Sequence, residues 1–159
     1  MSEIIDDKVN RDFARARSAA FMNAIRSLVR RQSIELLPLS EVRSRIYVRG
    51  QRDLGLQEVP LDQIIGSEGR YADFDRFFLP LTNETEERWK KIGRAYYQDV
   101  VLPPIDLVKI GDLYFVRDGN HRVSVARMRG QLEIDARVVE LKTDVSLPRH
   151  LEQSDLLLV

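Results

Sequence analysis

The sequence predicts a small α/β (α+β) fold: a mixed sheet with flanking helices, extended at its N-terminus by a further helical segment. Three observations lead there. Runs at 56–61, 105–110, 113–117 and 134–141 are short, rich in branched apolar residues or alternating in polarity, and read as strands. The segments between them carry helix start and stop signals. Ahead of all of them, Phe13, Ala16, Ala20, Ala24 and Leu28 recur at steps of three and four, which lays one apolar stripe along a helix.

The chain has 159 residues, enough for one domain with a real core plus a modest extension. Its 43% hydrophobic content argues against wholesale disorder. Basic and acidic residues number 25 each, so any nucleic-acid surface has to be a local patch. With no cysteine, disulfides, thiolate metal sites and cysteine nucleophiles are excluded. The two histidines, His121 and His150, stand far apart, and no metal site is expected. The acidic start, Met1 to Asp7, lacks an apolar signal core, and no apolar run approaches the roughly 18 residues that span a bilayer. A soluble, cytoplasmic protein with no membrane partner is the expectation.

Element by element, the first helix is placed at 7–32. Arg11, Arg15, Arg26 and Arg30 fall off its apolar stripe, and Arg17 and Arg31 add positive charge. They form either a solvated face or an arm for DNA or a protein partner. A second short helix starts at Ser40, a good N-cap, turns Val42 and Ile46 to the core and ends at Gly50. The stretch 35–54 reads as a connector, so three parts are expected: 1–54 a basic amphipathic helix with its connector, 55–141 the folded domain, 142–159 a tail. The domain opens with a strand at 56–61 and a helical turn at 62–65. A loop at 66–81 follows, with aromatics Tyr71, Phe74, Phe77 and Phe78 that either anchor it to the core or close over a ligand. Thr82 or Asn83 caps the next helix, with Glu84, Glu86 and Glu87 early and Arg88, Lys90, Lys91 and Arg94 later, an order that suits the helix dipole. Trp89, Ile92 and Tyr96 share its inward face. Pro103-Pro104 stops that segment. Gly111-Asp112 then joins two strands as a hairpin, a helix spans 121–129 with Gly130 after it, and the last strand runs 134–141. The tail, apolar at Leu156–Val159, is either a short helix or a flexible end.

The chemistry-bearing piece is the strand–glycine–helix passage Val116-Arg117-Asp118-Gly119-Asn120-His121-Arg122-Val123. A helix's first turn exposes unpaired N–H groups, and with the dipole these make an anion site. Gly119 lets an anion approach the backbone, and His121 and Arg122 add donors, Arg122 in a two-pronged grip. Cations at a helix start oppose the dipole, which suggests an anion between them. The competing reading has Asp118 cap the helix and pair with Arg122, with no ligand.

These residues resemble the phosphate-binding turn of the ParB/sulfiredoxin superfamily. Around them, Val59-Pro60-Leu61-Asp62-Gln63-Ile64 looks like the opening strand and turn of ParB N-terminal domains, and Pro103-Pro104-Ile105 like the element before their hairpin. The resemblance covers 56–141. It implies a ParB/sulfiredoxin-like fold that binds a nucleotide, ATP or CTP, with Mg2+ as its companion ion, through Gly119, Asn120, His121 and Arg122. Arg70, in Gly69-Arg70-Tyr71, takes the place of an arginine in the loop after the first strand. Sulfiredoxins carry a catalytic cysteine where this chain has Asn120, so sulfinic-acid reduction is not expected. ParB partition proteins have Glu-Arg-Arg at the turn and continue into a helix-turn-helix region. Only 18 residues follow Leu141 here, so centromere binding is not expected either. Free-serine kinases of the superfamily have a similar Asp-Gly-x-His-Arg turn, which keeps phosphotransfer open, with Glu58, Asp62 and Glu68 as candidate catalytic carboxylates.

Three functions follow as expectations. The first is a regulatory or partition-like nucleotide-binding protein. The second is a small-molecule kinase or nucleotide hydrolase using the same turn. The third is a DNA-binding accessory protein acting through the basic first helix. A homodimer is compatible with each.

Overall fold

The computed structural model describes residues 1–30 and 34–144. The chain enters with α1 (Ser2–Arg30), then β1 (Leu37–Pro38), α2 (Leu39–Arg43) and β2 (Val48–Pro60). A single 3-10 turn at Leu61–Gln63 leads into β3 (Ile64–Ser67). After the loop come α3 (Glu86–Tyr97), β4 (Ile105–Ile110), β5 (Leu113–Asp118), α4 (Asn120–Met128) and β6 (Glu133–Thr143). The apolar tail end expected at Leu156–Val159 lies outside the described residues.

Six strands form one mixed sheet in the order β1-β3-β5-β4-β6-β2. β1 pairs with β3, β3 with β5 and β4 with β6 in parallel, while the β4–β5 hairpin and the β2–β6 pair are antiparallel. The mixed α/β sheet with flanking helices and a helix at the N-terminus is therefore the architecture the sequence predicts. On one face α4 lays Val123 and Ala126 over Ile105, Leu107, Val116, Ala136 and Val138, with Phe74 and Phe78 of the loop completing the layer. The other face is covered at one end by α2, whose Leu39 and Val42 meet Val108, Ile110, Phe115 and Leu141. α1 and α3 form a further layer on α4, where Phe13, Ala16 and Ala20 pack with Trp89 and Val125.

Several elements depart from expectation. β2 runs unbroken through Leu54 and Gly55, across the expected edge of the domain, and Gly50 lies inside it instead of ending a helix. The first half of β2 is exposed on both sides, so no alternation marks it. β3 occupies part of the expected loop. α3 begins at Glu86, later than Thr82 or Asn83, because the Asn83 carboxamide oxygen accepts from Arg17 Nε of α1 at 3.1 Å. Arg17 also donates to the Pro80 and Leu81 carbonyls, so this arginine pins the loop's exit instead of joining a charged surface. Along α1 the buried row is Val9, Phe13, Ala16, Ala20 and Ser27. Leu28, expected inside, is 81% exposed, since the seven-residue step from Ala20 lands on Ser27 and Leu28 sits about 100° further round.

The 66–81 loop is anchored from within. Phe74 and Phe78 are fully buried, and the Asp75 carboxylate accepts from the backbone N–H groups of Phe77 at 2.8 Å and Leu79 at 3.0 Å. Burial pushes the Asp75 carboxyl above its ordinary value, against these donors, which favour the charged form. Tyr71 and Phe77 remain exposed at the rim.

Candidate anion-binding cleft

β5 delivers Arg117 and Asp118 to the sheet's end, and Gly119 turns the chain into α4 with φ +119°. A Cβ at Gly119 would stand 2.4 Å from Ile105 Cγ2. Glycine is thus demanded by backbone conformation and by the neighbouring strand, before any ligand is considered. Val123 is the first amide to bond back, to Gly119 O at 3.0 Å, which leaves the N–H groups of Asn120, His121 and Arg122 without intrahelical partners.

These residues line a cleft of about 520 Å³ together with Gly69, Arg70, Arg88, Lys91, Ile92, Arg117 and Asp118. The structure thus brings Gly119, Asn120, His121, Arg122 and Arg70 into one place. Five cationic side chains line the cleft, against one carboxylate, Asp118. Three of them are ion-paired: Arg70 to Asp73 at 3.4 Å, Arg117 to Glu68 at 3.3 Å and Arg122 to Asp118 at 3.3 Å. Arg88 and Lys91 have no ion pair among the described residues, and they carry the cleft's uncompensated charge.

Those two were not singled out in the sequence. They lie one turn apart on the face of α3 that also presents Ile92 to the cleft. The signal was the spacing Arg88-x-x-Lys91 beside the core anchor Trp89, but it points to a site only once α3 is known to pack on α4. That packing is fixed by Trp89, whose buried Nε1–H donates to Ser124 Oγ at 2.8 Å.

Each residue of the turn has a defined task. Asn120 ties α4 to the loop: its Nδ2 donates to Gly69 O at 3.0 Å, and its Oδ1 accepts from Ser67 Oγ at 2.8 Å. That tie seats Arg70, itself in the left-handed region at φ +53°. Arg122 is 13% exposed and largely committed: Nη1 donates to Pro103 O at 2.6 Å and Pro104 O at 3.1 Å, and Nη2 meets Asp118. The pairing of Asp118 with Arg122 foreseen as the alternative is present, within the wall of the cleft.

His121 does not add charge. Burial, then the nearby positive charges of Arg70 and Arg88, lower its pKa to about 4, with Asp73 opposing. Its ring stands edge-on to Phe74, centroids 5.3 Å apart. Nε2 is buried and has no hydrogen-bond partner among the described residues. A neutral imidazole there can donate to an anion or accept a proton from a ligand.

The candidate carboxylates do not converge. Glu58 lies on β2 opposite Asp135, and a hydrogen bond with Glu133 and the charges of Glu133 and Asp135 raise its pKa. Asp62 borders a separate hollow with Arg127 and Glu133. Glu68 alone stands at the cleft's rim, paired with Arg117. Among the described residues no group of three or more His, Asp or Glu side chains is placed to hold a metal ion, and no helix is long and apolar enough to cross a membrane.

No protein-family model matches the chain, and no curated protein matches it. Among solved structures it is similar to sulfiredoxin from Arabidopsis thaliana, at 20% sequence identity and a TM-score of 0.39, over 52% of this chain and 82% of that one.

Proposed function

We propose that the cleft binds the phosphates of a nucleotide, ATP or CTP with its Mg2+, and that the protein is a regulatory or partition-like nucleotide-binding domain. One observation carries the reading: Arg88 and Lys91 present two uncompensated positive charges beside the open amides at the start of α4. Such a site holds its charge at a cost unless an anion enters it. The resemblance of the Asp118–Arg122 turn to ParB/sulfiredoxin phosphate turns supports the same reading. Binding is favoured over turnover because Asp118 in the cleft wall and Glu68 at its rim are both engaged by arginines.

The test is calorimetry of ATP, ADP, CTP and GTP, each with magnesium, on the native chain and on Arg88→Ala and Lys91→Ala. One nucleotide should bind, and each substitution should weaken it by about 1.5–3 kcal/mol, the worth of a charge-assisted contact. The melting temperature of the ligand-free variants should stay within a few degrees of the native value, since neither side chain supports the fold. Binding that survives both substitutions would remove the cleft from consideration.

A further inference from the structure

The buried row of α1 accounts for fewer than half of its apolar residues. Phe21, Met22, Ile25, Leu28 and Val29 lie outside that row, with Phe21 65%, Leu28 81% and Val29 80% exposed. Their spacing is not random. Ala14, Ser18, Phe21, Ile25 and Leu28 advance by steps of four and three, the 3.5-residue repeat of a two-helix seam. Ile4, Asp7 and Arg11 continue the same steps toward the N-terminus. The residues docked on α3 and α4, Val9, Phe13, Ala16, Ala20 and Ser27, occupy the positions facing away from that seam, so the body of the protein does not block it.

We infer that α1 pairs in parallel, about a two-fold axis, with α1 of a second copy of this chain. Two features select that occupant. Ile4 and Ile25 fall at the first seam position of their heptads and Leu28 at the fourth, the arrangement that favours two parallel strands. Asp7 and Arg11 each meet their own copy in such a pair, so the close packing is confined to the Ala14–Leu28 part of the seam. The area also suffices. At about 200 Å² for a large apolar side chain, the five exposed fractions come to roughly 600 Å² per protomer, and the pair can bury roughly 1,200 Å², above the lower bound for a specific interface.

The experiment is sedimentation equilibrium of the full chain over a wide concentration range, as the native sequence, as Phe21→Glu and as Leu28→Cys. The native chain should dimerise. Phe21→Glu places two like charges in the seam and should raise the dissociation constant about a hundredfold or more, with an unchanged circular dichroism spectrum. The chain has no cysteine of its own, so Leu28→Cys reports on one position only. In a parallel pair that position meets its own copy, and mild oxidation should yield a disulfide-linked dimer. A native chain that stays monomeric, a dimer indifferent to Phe21→Glu, or a dimer in which Leu28→Cys does not cross-link would each overturn the pairing.

Discussion

Gly119 and His121 show how little room single residues have at the turn. Gly119→Ala adds a Cβ in a left-handed backbone, 2.4 Å from Ile105 Cγ2. A loss of about 2–4 kcal/mol is expected, read as a lower midpoint in urea with an unchanged slope. Arg122→Ala should lower the ligand-free stability by about 1–3 kcal/mol, because the Pro103 and Pro104 carbonyls lose their donor. Arg88→Ala should not, and the contrast separates a residue that builds the cleft from one that serves it. His121 has a pKa of about 4 in the folded chain against 6.5 in the unfolded one. Above pH 6.5 both states are neutral and the shift has no effect on stability. As pH falls from about 6.5 to about 4 the unfolded chain takes up the proton first, so stability declines over that window. The ring is only half-buried, and solvent screening holds the decline to about 1 kcal/mol. Urea titrations at pH 7 and pH 5 should show it in the native chain, and His121→Gln should reduce it.

Among the elements, α3 and α4 depend on one another through a single polar link inside an apolar layer. Ser124→Ala would leave the buried Trp89 Nε1–H without its acceptor at a cost of about 1–3 kcal/mol, and it should shift Arg88 and Lys91 relative to the turn. Weaker phosphate binding together with a lower melting temperature is the expected pair of readings. The elements themselves were legible to very different degrees. The hairpin at Gly111-Asp112 and the strand–glycine–helix passage announce themselves in sequence, because a tight turn constrains residue type directly. β1 has two residues, and β2 has an exposed, polar first half, so neither offers a period to read. At the site, the residues contiguous with the turn could be read from the chain, whereas Arg88 and Lys91 could not, since their relevance comes from the packing of α3 on α4. Roles were harder still. Arg122 looked like a ligand donor by residue type and Asn120 by resemblance, and their side chains prove to be engaged with Gly69, Pro103 and Pro104.

Over the whole molecule, the walls of the cleft come from three stretches far apart in sequence: 69–70, 88–92 and 117–122. They meet only when β3 lies beside β5 and α3 lies on α4. The unfolded chain therefore has no such cleft, and an anion that bound there would by mass action also be a folding agent. At a hundred times its dissociation constant a ligand would add about 2.7 kcal/mol to the stability of the native state. A melting curve would then serve as a binding assay, and a cell rich in such a ligand would hold more of this protein intact than one depleted of it.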